Sequence, residues 1–160
     1  MKAVINGLAP DKGLYFPQEK VILSKDFIES IKNIDDVEIC YEVMNKYVGD
    51  EIPKQKLIEI INNTISFKIP LKKIDDSINS LELFHGPTLA FKDIGAKFMA
   101  QCLDYFKSSY SSKKITVLVA TSGDTGGAVA KGFSGTKDIE VCILYPKGKI
   151  SKVQERQITP

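Results

Sequence analysis

Tryptophan is absent from the chain, histidine occurs once and cysteine three times. Each scarcity excludes something. His85 is the one imidazole, and Cys40, Cys102 and Cys142 lie far apart with no C-x-x-C, so a metal site lacks ligands and none is expected. An odd number of cysteines, each inside an apolar stretch, describes small buried hydrophobes in a reducing compartment rather than a disulfide framework. No apolar run approaches the roughly 18 residues a membrane helix needs. The first residues, MKAVINGLAP, have neither the apolar centre nor the cleavage site of a signal peptide. The cytoplasm is the default compartment and no membrane partner is expected. Charge of one sign is also lacking. The 22 basic and 20 acidic residues leave a net charge of +2 with no basic block, which argues against a nucleic-acid partner.

What is present is globular in kind. The 160 residues are 43% hydrophobic and 26% charged, enough apolar surface to offset ordering entropy. The length suits one ordinary domain, or a small domain followed by part of a larger one.

Texture changes near residue 70. Before it, Gly7 to Pro17 is turn-rich with a short strand expected at Leu14 to Phe16, and helical patterns follow at 25–33, 36–48 and 53–66. In the second of these Val37, Cys40, Tyr41 and Met44 recur at helical spacing behind a capping Asp35 or Asp36. The third opens on Pro53 and carries Leu57, Ile58, Ile61 and Ile65. These are core faces without chemistry. Beyond residue 70, Leu81 to Phe84 reads as a strand and Asp93 to Lys107 as a helix. Ile115 to Ala120 and Ile139 to Tyr145 are continuous apolar runs, as in strands buried on both faces, with a helix at about 125–134 between them. That order is a parallel α/β unit. Ser151 to Pro160 reads as the opening of a helix with nothing to pack against, and the sheet reads as interrupted. The chain is therefore expected to be a piece of a longer polypeptide.

Three stretches hold residues suited to chemistry. TSGDTGG at 121–127 joins a strand to a helix. Its glycines would let the backbone approach a ligand, its amides would attract an anion, and Thr121, Ser122 and Thr125 add hydroxyls. A plain strand-to-helix turn capped by Asp124 or Thr125 explains the same residues equally well. In LFHGPTLAFKD at 83–93, Lys92 follows Ala90 and Phe91 and is a candidate desolvated amine, although a lone lysine is more often a surface residue. His85 suits a turn better than a base. Lys147 and Lys149 in YPKGKIS, at 145–151, are candidate anion ligands or a solvated basic turn.

Taken together, HGPTLAFKDIGAKFMAQ (85–101), ATSGDTGGAVA (120–130) and ILYPKGKIS (143–151), with GLAPDKGLYFP (7–17) and GDEIP (49–53), resemble the threonine synthases in order along nearly the whole chain. The resemblance implies an α/β fold of the fold-type-II pyridoxal-phosphate architecture, incomplete here. A small, mostly helical N-terminal domain would span 1–75 and the first part of the catalytic domain 76–160. It implies conversion of O-phosphohomoserine and water to threonine and phosphate, a step of threonine biosynthesis. Lys92 would be catalytic and carry pyridoxal 5'-phosphate, with Asp124 beside the cofactor. Thr121, Ser122, Gly123, Asp124, Thr125 and Lys149 would bind substrate. The family's cup for the cofactor phosphate and its partner for the pyridine nitrogen would lie outside these residues, so the chain alone is expected to be inactive. The longer enzyme would be a monomer or a homo-oligomer. A phospholyase using the same lysine and loop, and a non-catalytic anion- or nucleotide-binding domain, are the alternatives.

Overall fold

The computed structural model describes residues 1–110 and 114–159, in two compact units, Met1–Asn62 and Asn63–Pro160.

The first unit is helical. α1 (Lys2–Asn6) and α2 (Lys25–Ser30) are short, and Ser24 closes the start of α2 by accepting from Phe27 N–H at 3.2 Å. α3 (Asp36–Val48) occupies the range its spacing predicts, because Asp35 Oδ1 accepts from both Val37 and Glu38 N–H at 2.9 Å. Gly49, at φ 54°, ends it in a conformation that penalises other residues. α4 (Lys54–Thr64) follows Pro53 and carries the buried side chains Leu57, Ile60 and Ile61, which are at most 2% exposed. No strand forms at Leu14 to Phe16; both residues stay exposed in irregular chain.

The second unit opens on a small antiparallel hairpin, β1 (Leu71–Lys73) with β2 (Asn79–Leu81), in register Leu71 to Leu81. The strand expected at Leu81 to Phe84 thus ends at Leu81. The tip of this hairpin carries its own instructions, since Asp75 Oδ1 accepts from Ser77 and Ile78 N–H. α5 (Lys92–Tyr110), β3 (Ile115–Ala120), α6 (Asp124–Gly132), β4 (Ile139–Leu144) and α7 (Lys152–Ile158) follow. β3 and β4 pair in parallel from Ile115–Ile139 to Ala120–Leu144.

Two expectations are corrected here. The strands are covered on one face only. Burial alternates along β3, and Leu118 and Leu144 are 66% and 55% exposed. α6 lies on the other face, where Ile143 comes within 3.2 Å of the position a Cβ on Gly126 would take. A continuous apolar run cannot report which face is covered. The helix expected to lack a partner, α7, packs on α6 through Gln154, Gln157 and Ile158; Pro160 lies outside the described residues. Among the described residues no helix is long and apolar enough to cross a membrane, and no group of His, Cys, Asp or Glu is placed to hold a metal.

Candidate active site

Two helix starts meet in the second unit, those of α5 and α6.

The start of α5 is set by the turn before it. Asp93 is buried, 4% exposed, and its Oδ2 accepts from Thr88 N–H at 2.9 Å while its Oδ1 accepts from the Thr88 hydroxyl. A carboxylate at a helix N-terminus gains from the helix dipole, and these bonds supply the partners a buried charge needs. The turn approaches so closely that a Cβ on Gly86 would strike this carboxylate and the Phe67 ring. Leu89 sits at φ 61°, a strained backbone conformation for a leucine. His85 takes another partner: its Nε2 lies 2.7 Å from Glu82 Oε2, three residues back in the turn.

Lys92 is thereby delivered at the first position of α5. Its side chain is 34% exposed, its Nζ lies 3.8 Å from Asp124 Oδ2, and the ammonium stands 4.4 Å from the Phe91 ring centroid. Beside it opens a cleft of about 500 Å³. Its walls are almost wholly apolar: Leu83, Phe91, Ile94, Met99, Ala128 and Val129, with Thr125 at the α6 end.

The start of α6 is built differently from expectation. The N-cap is Gly123, at φ 145° and ψ −80°, rather than Asp124 or Thr125. The capping oxygen belongs to Thr121, whose Oγ1 accepts from Gly123 N–H at 3.0 Å and from Gly126 N–H at 3.1 Å. Two of the amides that might have met an anion are therefore satisfied within the chain. Ser122, Asp124 and Thr125 remain exposed. Nor do the glycines all serve a ligand. A Cβ at Gly123 would lie 2.5 Å from the Gln154 side chain, at Gly127 2.8 Å from Gln157 Oε1, and at Gly126 2.6 Å from Thr121 Cγ2. Gly132 lets α6 approach α5, its Cβ position falling 3.0 Å from the Ala96 carbonyl carbon. Close packing, then, accounts for four glycines.

Lys92, Asp124 and Thr125 are brought to one place. Lys149 lies exposed in the turn after β4, where its N–H donates to Pro146 carbonyl at 3.1 Å. Three residues that hold the site together escaped the reading of the sequence: Asp93, Gln154 and Gln157. The first was findable as an acid in a helix's first turn, and Gln154 as the last letter of the capping box Ser-x-x-Gln. Nothing local marks Gln157.

The family description "Threonine synthase N terminus" matches residues 1–65. Threonine synthase of Escherichia coli is 43% identical over 155 residues, which is 97% of this chain and 36% of the relative. The chain belongs to the threonine synthase family. The Schizosaccharomyces pombe threonine synthase is 40% identical, over 99% of this chain and 33% of its own length. Among solved structures, that of the E. coli threonine synthase superposes with TM-score 0.88 at 42% identity, covering 98% of this chain and 36% of the other. The threonine synthase of Brucella melitensis, solved with PLP bound, gives TM-score 0.90 at 37% identity, covering 99% and 35%. The chain thus spans about a third of the length of these threonine synthases, and its helix-rich fold with a short parallel sheet is theirs over that span.

Proposed function

We propose that the chain supplies the cofactor-lysine side of a pyridoxal-phosphate-dependent threonine synthase site, which turns O-phosphohomoserine and water into threonine and phosphate. One observation carries the reading: the Lys92 ammonium stands 3.8 Å from Asp124 at the junction of two helix starts, beside an apolar cleft of about 500 Å³. The donor set suits the cofactor. A primary amine meets an aldehyde, the apolar wall of Phe91, Met99 and Val129 suits an aromatic ring, and the exposed hydroxyls of Ser122 and Thr125 suit anionic groups.

Bound there, the cofactor would supply the electron sink that makes a carbon acid of the amino acid. The chain's own residues do the rest. Lys92 Nζ would hold the cofactor and would take up and give back protons at that atom. Asp124, 3.8 Å from the lysine head at the start of α6, would lie beside the cofactor. The loop from Thr121 to Thr125 orients the substrate, and Lys149 offers a charge to its phosphate. Phe91, Met99 and Val129 would give the cofactor ring an apolar wall. The 160 residues by themselves should release no phosphate from O-phosphohomoserine.

Borohydride reduction of the chain mixed with pyridoxal phosphate, followed by peptide mapping, tests this reading. The label should concentrate on Lys92 and vanish from that peptide in Lys92→Ala. Labelling spread evenly over the other lysines would reject the site.

A further inference from the structure

The two segments that build the site, the turn 85–88 before α5 and the loop 121–125 before α6, are both reached by α7. Gln154 has a double engagement. Its Oε1 accepts from Ser151 N–H at 3.1 Å while Ser151 Oγ accepts from Gln154 N–H at 3.2 Å, a reciprocal helix cap. Its Nε2 donates to Asp124 Oδ1 at 2.7 Å. The other oxygen of that carboxylate is the one that faces Lys92. Asp124 is thus held on one side by an amide and presents its second oxygen to the lysine.

Three positions on, Gln157 donates its Nε2 to the Thr88 carbonyl at 3.3 Å. Thr88 is the residue tied by N–H and hydroxyl to Asp93, the neighbour of Lys92. Residues three apart on a helix share a face, so one face of α7 touches both halves of the site. The packing agrees with the bonding, because Gly123 and Gly127 leave open the space that Gln154 and Gln157 fill.

The side-chain type at 154 is informative. Glutamate closes a capping box as well as glutamine does, but it has no hydrogen to give Asp124 and would set two carboxylates face to face. Only an amide serves the cap and the carboxylate together.

We propose that α7 is a clasp, with Gln154 and Gln157 as positioning residues that hold the 121–125 loop and the 85–88 turn in register around Lys92. Its value to catalysis rests on the reading of Lys92 as the cofactor lysine; its existence as a clasp does not.

The decisive variant is Gln154→Glu, which keeps the cap and removes the donor. Backbone amide resonances of Gly123, Asp124 and Thr125 should shift while circular dichroism keeps its helical signal. Reductive trapping of pyridoxal phosphate at Lys92 should fall about tenfold, the effect expected of one charge-assisted hydrogen bond. The double variant Gln154→Glu with Asp124→Asn restores a donor and an acceptor with their roles exchanged, and should return the Gly123 and Thr125 resonances towards those of the parent; trapping should stay low, because the carboxylate that faces Lys92 is gone. Gln157→Met should shift the Thr88 amide and lower trapping less. Loop resonances unmoved in Gln154→Glu, or not returned towards the parent in the double variant, would overturn the clasp. If the parent chain itself is not labelled at Lys92, the cofactor reading has failed, and the resonances alone decide the clasp.

Discussion

α3 in the first unit and α6 in the second both follow a loop and both carry an acidic first turn, yet they begin in different ways. α3 starts on Asp35, one side chain accepting two amide hydrogens from residues immediately ahead. It has no glycine until Gly49 ends it. α6 starts on a glycine without a side chain to cap it, includes Gly126, Gly127 and Gly132 in its nine residues, and takes its support from Thr121, Gln154, Gln157 and Ile158. Each interior glycine costs a helix about 1 kcal/mol against alanine. A helix that accepts this cost must be packed more closely than its propensity warrants. The lesson is that the segment carrying the candidate site is specified by remote partners, and the segment that carries none is specified by itself.

The contrast is sharpest at glycines. In Gly126→Ala the new methyl would meet Thr121 Cγ2 and Ile158 Cδ1 within 3 Å. Overpacking of about 1–3 kcal/mol should outweigh the propensity gain of about 1 kcal/mol, so denaturant unfolding should show a net loss. Gly95, in α5, has nothing within 4 Å of its Cβ position, and Gly95→Ala should instead stabilise by up to about 1 kcal/mol. Equal effects at the two positions would break the comparison.

Asp35→Ala tests the self-sufficient helix. Loss of its cap should cost about 1 kcal/mol, visible as a lower denaturation midpoint, with the Gly123 and Thr125 amide resonances unmoved. A shift of those resonances would mean that α3 is not locally specified.

The smallest effect concerns the thiols. Burial pushes the Cys102 thiol up to about 11, and the side chain is 3% exposed, whereas Cys142 is exposed on β4. At pH 8 iodoacetamide should alkylate Cys142 and spare Cys102 in the folded chain. The sign for stability follows, because the folded state holds the Cys102 proton more firmly than the unfolded chain. That contribution is complete below pH 9 and is lost as pH rises from 9 towards 11. A chain equally stable at pH 8.5 and 10.5 in a variant-controlled comparison with Cys102→Ala would remove the argument.

Much of this was legible beforehand. α3 and β3 occupy the residues that spacing and apolar runs assigned them, and the parallel pairing of β3 with β4 follows from a strand–helix–strand order. The hairpin of β1 and β2 was missed because Leu71–Lys73 and Asn79–Leu81 are three-residue strands with mostly exposed side chains, too short to show a period. At the site, Lys92 and Thr125 stand out within their stretches, whereas Asp124 enters as a site residue through the family resemblance. The capping role of Thr121 and the cross-links from Asp93, Gln154 and Gln157 were not legible, since each depends on which segments meet.

By itself, then, the sequence determined where the longer helices and the two parallel strands run and which family its ordered motifs resemble, and it put the candidate chemistry in the two loops before α5 and α6. Those features depend on local spacing, capping and ordered motifs, all of which lie along the chain. Only the tertiary structure decided which face of β3 and β4 is covered, that the loop glycines admit α7, and that Asp124 stands between Gln154 and Lys92. The reason is physical. Hydrogen bonds and close contacts between residues 30 or 69 positions apart arise only when folding brings their elements together, and no local periodicity encodes them.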